Sequence, residues 1–266
     1  MSGRDRVRVV RLGGHPVRIA DEQPTFWDRV ECGTWEPGTL AVLSGCLGPG
    51  ATFLDLGAWV GPLTLLAAAR GARVVAVEAD PAALDGLGRN LGANPVLASR
   101  VTVLPRAVSA EGGSATFGAR RKPGDSMSSR LLAAGAGRTW EARCVTPADL
   151  AARLGDGPLV VKLDIEGGEY DLLPAMRPLL ADPDTVVLVS FHPGILAETG
   201  ETDPVGRTER ALAMFRGWAA FAVEEAGAVS RPLDAEALAR TGDAYPDTWL
   251  FSRRRPGPGG VPGRPA

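Results

Sequence analysis

The sequence is poor in the features that mark several functional classes. Its three cysteines, Cys32, Cys46 and Cys144, are far apart, odd in number and never in a C-x-x-C pair. That excludes a disulfide framework or a cysteine zinc site as the organising element and fits a reducing cytosol. No apolar run approaches the ~20 residues a membrane span needs, and the chain opens on charge rather than an apolar signal core. A soluble, cytoplasmic protein without a membrane partner is expected. Neither sign of charge dominates: 29 Lys and Arg stand against 31 Asp and Glu, which gives no field for nucleic acid. Short basic runs at 120–122 and 253–255 read as solvated loop and tail charges. The length suits one large α/β domain.

What is present centres on residues 51–80, ATFLDLGAWVGPLTLLAAARGARVVAVEAD. The pattern predicts a strand at 52–56, a glycine turn at 57–61, a helix at 63–70 and a second strand at 74–77 ending on Glu78. Gly57 lets the chain reverse and Gly61 lets the helix pack closely, so that backbone N–H groups at the helix start face a ligand-sized gap. Glu78 is placed to accept hydrogen bonds from two ribose hydroxyls. The turn Gly57-Ala58-Trp59-Val60-Gly61 lacks the middle glycine of a dinucleotide site. Asp55, just before it, would repel a pyrophosphate but suits the ammonium and sulfonium of S-adenosylmethionine.

Residues 7–12 and 17–19 read as a hairpin on Gly13-Gly14, followed by two helical patterns broken at Gly33 and Gly48. Trp35, Glu36 and Thr39 in the second are candidate walls of the cofactor site, with core packing or a helix start as the competing reading. Helices are expected at 80–92, 147–154, 169–180, 203–218 and 235–240, and strands at 101–104, 114–117, 140–145, 159–165, 185–191, 221–225 and 248–251. Ala107 and Val108 fall where a small apolar wall for adenine is needed. Residues 124–130 read as a lid or a surface loop. The buried run at 159–165 ends in Asp164-Ile165-Glu166-Gly167-Gly168-Glu169, three carboxylates that are costly at a strand end unless they bind something. His192, one of two histidines, lies at another strand tip. The organisation expected is a hairpin and helical cap over 1–50, a cofactor-binding domain over 51–252 and a disordered tail over 253–266.

Three blocks, FLDLGAWVG, VVKLDIEGGEYDLL and SFHP, with the lead-in WEPGTL, span 35–193 and resemble the FkbM family of S-adenosylmethionine-dependent methyltransferases. The resemblance implies a class I, Rossmann-like α/β fold: a seven-stranded, mostly parallel sheet with the last strand antiparallel and helices on both faces. It implies that Asp55, Gly57 and Gly61, with Ala58 and Trp59 of the same turn, hold the methionine part, Glu78 the ribose and Ala107 the adenine region. Asp164, Glu166 and His192 would face the substrate. Trp59 stands where the family usually has asparagine. Family members are mostly linked to O-methylation of hydroxyls in natural products and sugars, so a small or carrier-bound acceptor is expected; an amine or amide nitrogen stays open. His192 or Asp164 would take the hydroxyl proton while Glu166 orients the acceptor. No metal is expected; if a divalent ion is present, Asp164, Glu166 and His192 would supply its ligands, the less favoured mechanism because spacing does not show that they converge. An NAD(P)-dependent oxidoreductase and a non-catalytic adenosine-binding protein are the rival classes.

Overall fold

A computed structural model describes residues 7–20, 22–240 and 246–253; all but the first residue of the expected tail lies outside the described residues. In chain order the elements are β1 (Val7–Leu12), β2 (His15–Ala20), α1 (Pro24–Glu31), α2 (Pro37–Cys46), β3 (Thr52–Leu56), α3 (Pro62–Ala69), β4 (Arg73–Glu78), α4 (Pro81–Gly92), α5 (Pro95–Ala98), β5 (Val101–Pro105), β6 (Ala107–Val108), β7 (Ser114–Ala119), β8 (Ser128–Ser129), β9 (Thr139–Val145), α6 (Pro147–Ala151), β10 (Leu159–Leu163), α7 (Glu169–Leu172), β11 (Val186–Ser190), α8 (Pro193–Glu198), α9 (Pro204–Leu212), β12 (Ala219–Glu224), β13 (Gly227–Val229), α10 (Ala235–Ala239) and β14 (Thr248–Ser252). Eight of these ten helices open on proline. Its fixed φ suits the first helical position and its missing N–H is not needed there, which is why the helix starts were legible.

The main sheet has the order β13-β12-β14-β11-β10-β3-β4-β5. Strands β3, β4, β5, β10 and β11 are parallel, while β14 runs antiparallel to both β11 and β12. This is the expected seven-stranded sheet, extended by the short β13, which hairpins onto β12. Side chains alternate between two cores along each buried strand. Phe53, Val74, Ala76 and Val160 pack with the N-terminal hairpin and α1 to α3. Leu54, Leu56, Val75, Val77, Val161 and Leu163 pack on the opposite face with Tyr170, Leu173 and Phe251. The hairpin is docked by two side-chain amides, with Arg18 N–H on Asn94, just before α5, at 3.0 Å and Ala20 N–H on Asn90 of α4 at 2.8 Å.

Four departures from the sequence reading matter. The helix expected at 169–180 stops at Leu172 and continues as a 3₁₀ turn, Leu173–Met176, because Pro174 has no N–H to donate to a further α-turn. The helix expected at 203–218 likewise ends at Leu212 and tightens into Ala213–Phe215. The helix expected at 147–154 closes by Ala151. Residues 107–145 form a second sheet, β6-β9-β7-β8, where strands at 114–117 and 140–145 were expected but no separate sheet.

Candidate functional site

Chain order leaves β3 in mid-sheet, followed on one side by β4 and β5 and flanked on the other by β10 and β11. A crevice opens at such a switch point beyond the carboxyl ends of the strands. Register places Asp55 opposite both Ala76 and Lys162, so the turn after β3, Glu78 and Asp164 share one edge. At Gly57, with φ +87°, a Cβ would fall 1.9 Å from the Asp164 carbonyl oxygen; at Gly61, φ +86°, it would fall 2.4 Å from Leu87 Cδ1. The two glycines are therefore required by left-handed backbone and by close approach. Gly57 and Ala58 N–H both donate to the Val77 carbonyl at 3.0 and 3.1 Å, which ties the turn to the neighbouring strand. Pro62 fills the first helical position, so one of the N–H groups expected at the gap does not exist.

Glu78 accepts from Trp59 N–H at 2.7 Å and from Ala79 and Asp80 N–H at 2.8 Å each. A carboxylate has about four lone-pair sites; three are used, leaving one for a ribose hydroxyl rather than the expected two. Burial pushes the Glu78 carboxyl up to about 7, against the pull of these N–H groups. Asp55 is only 2% exposed and accepts a hydrogen bond from the Thr64 hydroxyl at 2.6 Å, with burial raising it to about 6. It stands behind the turn and fastens it to α3. A cleft of about 1130 Å³ opens in front, lined by Gly57, Trp59, Glu78, Ala107, Val108, Asp164 and Glu166 among others.

The DIEGGE tip is the most charged part of this edge. Lys162, 1% exposed within the central strand, donates to Asp164 Oδ2 at 2.7 Å and to Ser190 Oγ at 2.8 Å. Burial opposes ionisation of Asp164, but Lys162 and His192 outweigh it and hold its carboxyl below the usual range. Glu169, fully buried, accepts the backbone N–H of Gly167 at 2.9 Å and of His192 at 2.8 Å, and lies 3.1 Å from His192 Nδ1. His192 Nε2 then points at Asp164 Oδ1, 3.3 Å away, and Glu166 Oε2, 3.6 Å away. Burial disfavours the imidazolium, yet Glu169, Asp164 and Glu166 together push its pKa up to about 10. Glu166 has φ +52°, its Oε2 is shut off from solvent without a hydrogen-bond donor, and burial raises it to about 7.

His192 also lines a second cleft, of about 800 Å³, with Glu36, Thr39, Arg120, Glu198 and Asp247. Glu36 and Thr39, expected beside the cofactor turn, stand here instead, and burial raises the Glu36 carboxyl against the pull of Lys162. Asp164 and Glu166 line one cleft and His192 the other, so the cluster forms the partition between them. Trp35 packs edge-on against Phe26, ring centres 5.2 Å apart, as its core reading anticipated. Residues 120–130 run as a strap from one cleft to the other. Gly124 accepts from the Trp59 indole N–H at 3.0 Å and donates to Asp80 Oδ2 at 2.6 Å. Ser129 donates to the Glu166 carbonyl at 2.5 Å, and Arg120 forks onto both Glu198 oxygens at 2.8 Å.

Lys162 was not singled out from sequence, and Glu169 was read as one of the three tip carboxylates without a role of its own. The signal for Lys162 was a lone cation inside an otherwise apolar strand, which demands buried counter-charges; for Glu169 it was a third acid with no other partner in sequence.

No curated protein matches this sequence. Solved structures with similar folds include an S-adenosylmethionine-dependent methyltransferase from Agrobacterium tumefaciens, 13% identical over 93% of this chain and 70% of that one, TM-score 0.43. An S-adenosylmethionine-dependent O-methyltransferase from Thermotoga maritima is 11% identical over 92% of this chain and 76% of that one, TM-score 0.42. A precorrin-6y C5,15-methyltransferase from Geobacter metallireducens is 13% identical over 68% and 71%, TM-score 0.38. The model of the methyltransferase FkbM domain matches residues 55–209, from the aspartate before the glycine turn through the DIEGGE tip and His192. With more than half of its length carrying that domain, this chain belongs to the FkbM methyltransferase family and is an S-adenosylmethionine-dependent methyltransferase.

Proposed function

We propose that the enzyme methylates a hydroxyl oxygen of a small or carrier-bound acceptor, of the natural-product or sugar type. The observation that carries this reading is the meeting of two clefts at one carboxylate–histidine partition. The larger cleft fits S-adenosylmethionine: Glu78 retains an acceptor site for a ribose hydroxyl, Ala107 and Val108 offer an apolar wall to adenine, and Gly57, closely packed on the Asp164 backbone, lines the part left for the methionine. When bound, this cofactor supplies an electrophilic methyl group on a sulfonium. Asp55 keeps the turn in place from behind rather than touching the ligand.

The acceptor enters by the second cleft, past Glu36 and Thr39, and presents its hydroxyl to Asp164, Glu166 and His192. An oxygen that gains a methyl must lose its proton, and the cluster receives it. Asp164, ion-paired with Lys162, and His192, already held protonated by its carboxylates, are poor acceptors. Glu166, with an unpartnered oxygen, is the best placed in the metal-free protein. Residues of the strap line both clefts, Ser128 and Ser129 the larger and Arg120 and Met127 the smaller. The enzyme is placed in the cytoplasm on this reading, where its three free cysteines would stay reduced; none of the described helices is long and apolar enough to cross a membrane.

The test is release of S-adenosylhomocysteine from the purified enzyme with matched panels of alcohols, phenols and sugars against amines and amides. Turnover confined to nitrogen acceptors would refute O-methylation. Saturable S-adenosylhomocysteine binding with no turnover on any panel would favour a binding protein.

A further inference from the structure

We infer that Asp164, Glu166 and His192 form a binding site for one divalent first-row metal ion. Their donor atoms all lie within 4.8 Å of one another, and His192 Nε2 stands 3.3 Å from Asp164 Oδ1 and 3.6 Å from Glu166 Oε2. Ligands about 2.1 Å from an ion are about 3.0 Å apart at a right angle and about 3.4 Å apart at a tetrahedral angle. Both His192 pairs stand within a few tenths of an ångström of those spacings, and the remaining pair, Asp164 with Glu166, lies within 4.8 Å and closes on the ion as it binds.

Each ligand's other end is already held. Lys162 occupies Asp164 Oδ2 at 2.7 Å and leaves Oδ1 facing the gap. Buried Glu169 lies 3.1 Å from His192 Nδ1 and also accepts the His192 backbone N–H. A carboxylate on Nδ1–H fixes the ring, and the ion displaces the proton that Nε2 carries in the metal-free protein, which leaves the neutral imidazole of a metal-ligating histidine. Independently of those contacts, Glu166 Oε2 is sealed from water without a hydrogen-bond donor, and its side chain is only 12% exposed. Such an oxygen is expensive unless a cation meets it. The charges agree: with His192 neutral as a ligand, the three carboxylates Asp164, Glu166 and Glu169 face one ammonium, Lys162, and a dication brings these four groups to neutrality. Two carboxylate oxygens with one imidazole suit manganese, iron or zinc better than an all-oxygen cage for calcium.

Three protein ligands leave coordination positions open. On the proposed reading of the two clefts, on which this consequence rests, an acceptor hydroxyl takes one of them. The ion lowers the pKa of that hydroxyl, so deprotonation no longer depends on one side chain as base. The acceptor class is then an alcohol or phenol able to ligate through oxygen.

The test uses the full-length chain, freed of metal with EDTA and desalted, then titrated with MnCl₂ while free Mn²⁺ is counted by its paramagnetic resonance signal. S-adenosylhomocysteine binding is measured in parallel by calorimetry. One Mn²⁺ per chain is expected, with affinity reduced at least about tenfold in Glu166→Gln and in His192→Ala. No Mn²⁺ uptake at millimolar concentration, or uptake unchanged in both variants, overturns the inference. Binding of S-adenosylhomocysteine without Mn²⁺ uptake would remove the metal site and leave the methyltransferase reading standing. Mn²⁺ uptake without S-adenosylhomocysteine binding would do the reverse.

Discussion

Replacing Glu78 by glutamine isolates the ribose contact. The carboxylate has three backbone N–H donors at 2.7 to 2.8 Å and one remaining acceptor site. In Glu78→Gln the amide keeps one oxygen, which Ala79 and Asp80 N–H retain, and turns its NH₂ towards Trp59 N–H, donor against donor. The turn must shift there, and the charged acceptor for the ribose hydroxyl is gone. A hydrogen bond to a charged group contributes about 1.5–3 kcal/mol, so the Kd for S-adenosylhomocysteine should rise by roughly 10- to 150-fold at pH 8. A pH series sharpens the test. Burial holds Glu78 at about 7 in the free protein and the ligand prefers the ionised form, so wild-type affinity should fall as pH drops below 7, by up to about tenfold per unit. The variant should show no such fall. Calorimetry at pH 6, 7 and 8 measures both effects; a Kd change under about threefold, or an equal pH slope in the variant, would refute the assignment of Glu78 to the ribose.

Gly57→Ala, whose Cβ would lie 1.9 Å from the Asp164 carbonyl at φ +87°, should cost on the order of 3 kcal/mol or more in urea unfolding and abolish cofactor binding; an unchanged urea midpoint would contradict the close-approach argument. Trp59→Asn should relieve a left-handed backbone at φ +50°, because asparagine tolerates that region. It loses the indole hydrogen bond to Gly124 and the edge contact with Phe26 at 4.5 Å, so limited proteolysis within 120–130 should accelerate. Stability of the cofactor-free protein should fall as pH rises from about 4 to 7 and then level off as far as Asp55 and Glu78 are concerned. Burial lifts them from 3.8 to about 6 and from 4.5 to about 7, so the folded state binds their protons more tightly than the unfolded one across that window. Thermal melts of Asp55→Asn should show a shallower fall; the same slope as wild type would mean that Asp55 is not the group concerned.

Much of the scaffold was legible locally. Proline at the first helical position, glycine where the backbone must turn left-handed, and apolar strands bounded by turns each act within a few residues. They gave the β3 to β4 unit, the buried β10 run and most helix starts. Where a local signal was missed, as with Pro174 cutting short the helix after Glu169, the cause was again local backbone chemistry. Trp59 was recognised as a departure from its family, but not as the donor that fastens the strap, because Gly124 is 65 residues away.

The site itself divides along the same line. The sequence by itself determined which residues carry charge at the strand ends and that a glycine turn follows β3. Only the tertiary structure decided that Asp55 stands behind that turn and that Glu36 and Thr39 line the other cleft. Only the tertiary structure, too, brought His192 to Asp164 and Glu166, with Lys162 and Glu169 as their supports. The physical reason is strand order and register. Placing β10 between β3 and β11 makes neighbours of carboxylates, a lysine and a histidine that no local periodicity relates, and whether such charges converge depends on which strands lie side by side.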